Sequence, residues 1–360
     1  MPTSHQTRRV KLGEALSAGT LPAALVTDLV NVRYLTGFTG SAGAVLCLAD
    51  GATWLATDGR YRTQAAAEAP DVESLITRTG PADLVALAHK RGVDRIGFED
   101  EAMTVAEHQG LEESFPGELV GLGSAVTDLR LVKDEGELAA LRKACLATDA
   151  AFAAVLPVLR PGPTERQVAR WLDDFMRDLV PDGPGFETIA AAGENSATPH
   201  HNPTERVIES GDLLKLDFGA QVDGYHADMT RTVMIGRPAD AWQQDIYDVV
   251  AEAQRAGRDA LTATASGVEV DKAARTIIEA AGWGENFSHG LGHGVGLEIH
   301  EAPFLGATST DRLAASVPVT VEPGIYLPGQ GGVRIEDTVV VHHDRVEVLT
   351  TSTRELLVLD

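Results

Sequence analysis

The hydrophobic pattern changes character once along the chain. Up to about residue 130, short apolar runs alternate with stretches of helical spacing. "PAALVTD", "GAVLCLAD" and "ATWLATDG" read as strands, the last running into a turn, and "RIGFED" as a fourth. "RYRTQAAAEA" has helical character, and "PADLVALAHKRG" reads as a helix closed by Gly92. This alternation predicts an α/β domain whose helices cover a sheet.

A different regime begins near residue 132, where we place the domain boundary: 1–132 and 133–360. Asp134 and Glu137 have the spacing of a helix cap and its return partner. The long amphipathic helix they open is expected to run to Pro161–Gly162. A second helix follows, with Thr164 as its cap. "DLLKLDFGAQVDGYHADMTRTVMIG" alternates as strands around a turn at Asp223–Gly224. Two helices are predicted over Asp240–Ala265 and Val270–Ala281. Strands return in "VTVEPGIYL", "GVRIEDTVVV" and "RVEVLT". Strands and helices in separate runs predict an α+β second domain with antiparallel pairing.

Composition narrows the function classes. The chain has 360 residues, 44% of them apolar, which is ample for two cores. No apolar run approaches the roughly 18 residues of a membrane span. The N-terminal basic residues lack an apolar stretch after them, so no secretory signal is read there. Two cysteines far apart suggest no disulfide framework and fit a reducing cytoplasm. A net charge of −23 argues against nucleic-acid and membrane partners.

Four acids of the second domain lie in or beside apolar strands: Asp217, Asp228, Glu322 and Glu336. Buried carboxylates need partners, because desolvating a charge costs several kcal/mol. Arg231 and Arg334 are candidates for a structural ion-pair network. Divalent cations are the other reading. Hard oxygen ligands with one imidazole suit Mn²⁺, Co²⁺, Fe²⁺ or Zn²⁺. "SHGLGHGVGLEIH" supplies histidines 289, 293 and 300. Its glycines match neither phosphate-loop spacing and are expected to let backbone bend around metal and substrate.

In order and local context, Asp217, Asp228, His293 in "GHGVGLEIHE", Glu322 in "VEPGIY" and Glu336 in "GVRIED" resemble the five metal ligands of the proline-specific pita-bread metallopeptidases. The branch is that of aminopeptidase P and prolidase, and the resemblance spans essentially the whole chain. It implies a creatinase-like α/β N-terminal domain and an α+β pita-bread catalytic domain. It implies two divalent ions, manganese first, with cobalt, zinc or iron as alternatives. Asp217 would chelate one ion, His293 and Glu322 the other, and Asp228 and Glu336 would bridge them. A metal-bridging hydroxide would attack the Xaa-Pro bond, with Glu322 handling the proton. His200 in "ATPHHNP" matches a histidine that steadies the tetrahedral intermediate. His289 and His300 match substrate-contacting histidines, and Arg334 an orienting arginine.

The resemblance further implies proline-containing peptides as substrates and a homodimer. "YLTGFTGSAG" and "TDGRYRTQA" resemble aminopeptidase P stretches, in which Arg60, Tyr61 or Arg62 would approach the site; the alternative is an exposed hairpin at Asp58–Gly59. The expected activity is that of an Xaa-Pro aminopeptidase, with a dipeptidase next and a catalytically silent binding protein of the same fold after it. Of the remaining histidines, His201 is expected at the surface. His226 could share the face of Asp228, and His342 and His343 read as a solvated turn.

Overall fold

The computed structural model describes residues 3–360, which divide into two compact units, 1–130 and 131–360. The first unit carries helices α1 (Ser4–Ala18), α2 (Leu29–Thr36), α3 (Arg62–Glu68), α4 (Gly80–Lys90), α5 (Val105–Ser114) and α6 (Thr127–Leu131). Its strands are β1 (Ala23–Val26), β2 (Ala44–Leu48), β3 (Thr53–Thr57), β4 (Glu73–Ile76), β5 (Arg95–Phe98) and β6 (Glu118–Gly121). They form one mixed sheet in the order β4-β3-β2-β1-β5-β6. Ala23, Leu25, Leu46, Ala56 and Ile96 pack beneath Leu84, Val85 and Ala88 of α4. Gly92 takes a left-handed φ of 80° just past that helix, as its position required. Asp58–Gly59 is not a hairpin. Asp58 caps a 3-10 turn, Gly59–Tyr61, that leads straight into α3.

The second unit stacks two helix-covered sheets. Helices α7 (Glu135–Val155) and α8 (Glu165–Leu179) precede strands β7 (Ile189–Ala192), β8 (Leu213–Phe218), β9 (Gln221–Val222), β10 (Tyr225–His226) and β11 (Met229–Ile235). Helices α9 (Ala241–Asp259) and α10 (Gly267–Ala280) follow. The chain then lays down β12 (Gly292–Gly294), β13 (Glu301–Leu305), β14 (Val317–Val321), β15 (Gly324–Leu327), β16 (Gly331–Arg334), β17 (Asp337–Val341), β18 (Val346–Val348) and β19 (Val358–Leu359). One sheet has the order β19-β11-β8-β7 and another β13-β12-β14-β17-β18, while β15 and β16 form a ribbon. Pairing is antiparallel throughout this unit except between β11 and β19.

Each sheet has its own core. Phe152 of α7 stacks on Phe218 of β8 at 6.2 Å, among Leu214, Leu216 and Met229. Ile246 and Val250 of α9 and Val270 and Ile278 of α10 bury Val317, Val319 and Val321. Strand alternation therefore turns Leu214, Leu216 and Phe218 toward the helices and leaves Lys215 and Asp217 on the opposite face.

Two helix ends fall short of expectation. α7 stops at Val155 rather than at Pro161, because Pro157 lacks an N–H and its ring clashes with the preceding turn. α9 stops at Asp259 rather than Ala265, because Ser266 must be extended (φ −88°, ψ 152°) to cap α10 through a box with Glu269. The cap supports a prediction. Ser266→Ala should cost about 1 kcal/mol in urea unfolding with an unchanged m-value; an unshifted midpoint would mean the cap does not set this boundary.

Candidate metal centre

Breaks in the strands bring the acids together. Asp217 sits in β8, opposite Thr230 of β11 and Ile189 of β7. Asp228 lies in the gap between β10 and β11, where Thr338 brackets it by donating to its carbonyl (2.8 Å) and accepting from its N–H (3.2 Å). Pro323 ends β14 just after Glu322, whose N–H donates to Leu291 O at 2.8 Å. Ile335–Glu336 separates β16 from β17, and the Glu336 N–H donates to Thr230 O at 3.1 Å. His293 lies in β12 at a β-bulge, its Nδ1 3.0 Å from Gly294 O.

All five side chains line one cavity of about 780 Å³, within the second unit. His293 Nε2 is 3.3 Å from Glu322 Oε1 and 3.7 Å from Asp228 Oδ2. One ligand atom each from Asp228, His293 and Glu336 lies within 4.8 Å of the others. Asp228, His293 and Glu336 are buried, and the Glu322 side chain is 16% exposed.

The electrostatics leave this cluster short of positive charge. Burial, and then the charges of Glu336, Asp217 and Glu322, push the Asp228 carboxyl well above the usual carboxylate range. Burial, then Glu322 and Asp217, do the same to Glu336. For Glu322 burial acts upward too, but the His293 bond and charge and the charges of His289 and Arg334 outweigh it and hold the group at about 2. His293 is raised, because Glu322 outweighs its burial. Burial lowers His289 and His300.

Arg334 is the single guanidinium inserted among these acids, among the described residues. It is paired with Asp217 Oδ2, and it donates to Tyr326 Oη (2.9 Å), Thr230 Oγ1 (3.0 Å) and Pro199 O (3.2 Å). Asp217 Oδ1 is left buried with no hydrogen-bond partner. An orphaned carboxylate oxygen, two acids pushed well above the usual range by burial and by neighbouring carboxylates, and a hard oxygen-rich donor set with one imidazole all fit divalent cations.

The other expected residues divide. His200 is exposed and His300 is exposed, and both line the cavity. The His300 ring meets His293 edge-on at 4.4 Å between centroids. His289 Nε2 lies 2.9 Å from Tyr326 Oη. Tyr326 thus joins His289 to Arg334, a role no spacing announced, although it falls four residues after Glu322 in "VEPGIY". Its hydroxyl is pushed up to about 12, chiefly by burial. Arg231 is not a counter-charge for the cluster; it is spent on Asp337 at 2.8 Å.

His201, His342 and the glycines depart from expectation, and His226 does not reach the site. His201 is not at the surface: it is 12% exposed, with Nε2 2.9 Å from Glu165. His226 lies outside the cavity lining, with its ring nitrogens 3.0 Å from Gly296 O and 2.9 Å from Gln221. His342 is half-buried and bonded to Glu347 at 2.8 Å. Of the glycines of the histidine run, Gly290 and Gly292 line the cavity, but close approach of neighbouring strands also requires them. A Cβ at Gly290, Gly292 or Gly294 would strike the carbonyls of Leu305, Thr320 and Ala302, so these residues let neighbouring strands approach.

With this geometry in hand, relatives can be compared. Residues 139–343 match the family described as metallopeptidase family M24, and residues 8–132 match the creatinase/prolidase N-terminal domain. The chain is similar to an uncharacterised peptidase of Bacillus subtilis, 41% identical over 342 residues, covering 93% of this chain and 95% of that one. It superposes on an Xaa-Pro dipeptidase from Bacillus anthracis with a TM-score of 0.94 and 38% identity, covering 99% and 100%. An X-Pro aminopeptidase from Thermotoga maritima gives 0.87 and 35%, covering 94% and 97%.

Added Mn²⁺ should raise the Tm of the protein, the rise growing with the logarithm of the free metal concentration above Kd. Asp228→Ala should abolish that rise and lower bound metal after dialysis. A metal-replete variant with the full rise would remove Asp228 from the ligand set.

Proposed function

Because the chain belongs to metallopeptidase family M24 and carries a creatinase/prolidase N-terminal domain, we propose that it hydrolyses the Xaa-Pro bond at the amino terminus of peptides. The observation that supports this most is the convergence of four carboxylates and one imidazole in a single cavity, with more negative charge than Arg334 can balance. Two divalent cations would be held by Asp217, Asp228, His293, Glu322 and Glu336, manganese being the first choice. When bound, such ions lower the pKa of a water and polarise a carbonyl.

The chain's own groups supply positioning. Arg334, itself anchored on the Tyr326 hydroxyl, fixes one oxygen of Asp217 and leaves the other without a partner. Glu322 is the carboxylate to which this reading assigns the proton released as the carbonyl is attacked. His200 donates toward the oxyanion as it develops, and His289 and His300 contact the peptide. Neutral imidazoles suit that work, and burial keeps His289 and His300 in that form.

An aminopeptidase is the reading favoured here over a dipeptidase. A dipeptidase must recognise a carboxylate directly after proline. Both arginines lining the cavity are already committed, Arg334 to Asp217 and Arg275 bidentately to Asp271 at 2.8 Å. Among the described residues no further lysine or arginine lines it. The dipeptidase reading draws its support from relatives, since several similar proteins and solved structures are named Xaa-Pro dipeptidase or prolidase and that support is at least as strong as the support for an aminopeptidase. The division into a 1–132 N-terminal domain and a 133–360 catalytic domain, a homodimer and a cytoplasmic location belong to the same proposal. No helix among the described residues is long and apolar enough to cross a membrane.

Comparison of Ala-Pro with Ala-Pro-Ala in Mn²⁺ tests it. The tripeptide should be cleaved at least about tenfold better in kcat/KM, and chelation should abolish turnover. Preference for the dipeptide would establish the second reading, and turnover of neither would end both.

A further inference from the structure

The segment 192–204, which carries His200, is gripped by two buried charges. Thr164 caps α8 and so puts Glu165 in its first turn with its side chain inward and 0% exposed. Glu165 Oε1 accepts from Ala192 N–H at 2.8 Å and from Asn195 Nδ2 at 3.0 Å. Its Oε2 accepts from Thr204 N–H at 3.0 Å and from the Thr204 hydroxyl at 2.6 Å, and it faces His201 Nε2 at 2.9 Å. From the other side Lys215 donates to the carbonyls of Ser196 (3.2 Å), Thr198 (2.5 Å) and Pro199 (3.2 Å). The segment is thus fixed by side chains that never reach the cavity themselves.

This arrangement sets the hydrogen of His201. Burial acts to raise Glu165, but Thr204, Ala192, Asn195 and His201 together hold it below the usual carboxylate range. An ionised carboxylate only accepts, so Nε2 of His201 is the donor. The neutral ring then carries its lone pair on Nδ1. His201 lines the cavity, and among the described residues its one hydrogen bond is the one to Glu165.

We propose that Glu165 is a positioning residue that locks His201 as the Nε2–H tautomer, and that His201 Nδ1 accepts a hydrogen bond from an N–H of the bound peptide. The proposal rests on the Xaa-Pro peptidase reading and deepens it. Proline contributes no N–H, so a peptide Xaa-Pro-Yaa offers only its terminal ammonium and the Yaa amide near the scissile bond. His201 therefore reads either the ammonium, which marks the amino terminus, or the Yaa amide, which an Xaa-Pro dipeptide lacks.

The test uses His201→Gln, whose amide keeps an N–H aimed at Glu165 and removes the Nδ1 acceptor, and Glu165→Gln. His201→Gln should raise KM for Ala-Pro-Ala about tenfold with kcat nearly unchanged; Glu165→Gln should raise KM at least as much, and the double variant should be no worse than Glu165→Gln. His201→Gln should keep its Tm and its Mn²⁺ content. Long-range ¹H–¹⁵N NMR of the wild-type ring should show Nε2–H. The ester analogue Ala-Pro-lactate assigns the donor. If the Yaa amide is read, the wild type loses its advantage over His201→Gln on the ester; if the ammonium is read, the advantage persists. A wild-type KM for His201→Gln, or an Nδ1–H tautomer, would overturn the proposal. Should the wild type cleave no peptide, the peptidase reading fails separately. Calorimetric binding of Ala-Pro-Ala, weakened or unchanged by His201→Gln, then decides this one.

Discussion

Everything in the second unit is arranged around an electrostatic conflict. Asp217, Asp228, Glu322 and Glu336 are drawn into one poorly solvated cavity with one guanidinium and one adjacent imidazole among them. Like charges at this range disfavour one another's ionisation, and the result is that Asp228 and Glu336 hold their protons far above the usual range. Such a cluster is costly for folding alone. Its cost is intelligible as that of a site preorganised for cations, in which the missing charge arrives with the ligand.

The sheets deliver these acids because their strands are interrupted. A continuous strand would alternate Glu322 and Glu336 with their neighbours and bury half of each run in the helical core. Pro323 and the Ile335–Glu336 gap end the ladders at the points where a carboxylate must turn inward. Asp217 needs no such break, since the face of β8 opposite Leu214, Leu216 and Phe218 already looks into the cavity. The core thereby orients the chemistry: the same alternation that packs Phe218 on Phe152 aims Asp217 at Arg334.

Much of this was legible in the chain. Strand and helix types followed from periodicity, and the capping boxes at Asp134 and Thr164 marked real helix starts. The four acids stand out because carboxylates interrupt apolar strands there, whereas His293 is separated from the other histidines of its run only by the family resemblance. What escaped were interactions that depend on three-dimensional neighbours. Nothing in "PHH" says that the second histidine turns inward to a buried Glu165, 36 residues away. Tyr326 reads as an ordinary strand aromatic until His289 and Arg334 are found on its hydroxyl. The glycines of "GHGVG" carry a signal for close backbone approach, but sequence cannot say whether strand or ligand does the approaching; here it is strand.

Burial alone does not separate the functional acids from the structural ones, and their partners do. Asp337 is fully buried, yet it is closed by Arg231, Arg354, Gln254 and Thr350. Asp271 is closed by Arg275 and the Leu291 N–H, and Glu165 by five donors. Each of these acids is complete as it stands and has no capacity for a cation. Asp217 keeps an oxygen with no partner, and Asp228 and Glu336 are buried among further carboxylates, Glu336 accepting from the Thr230 hydroxyl at 2.7 Å. The distinction also explains why one arginine does not spoil the centre. Arg334 is tied to Thr230, Tyr326 and Pro199 as well as to Asp217, so it is held to one edge of the cluster. It steadies a single carboxylate from there and leaves the remaining negative charge for the site.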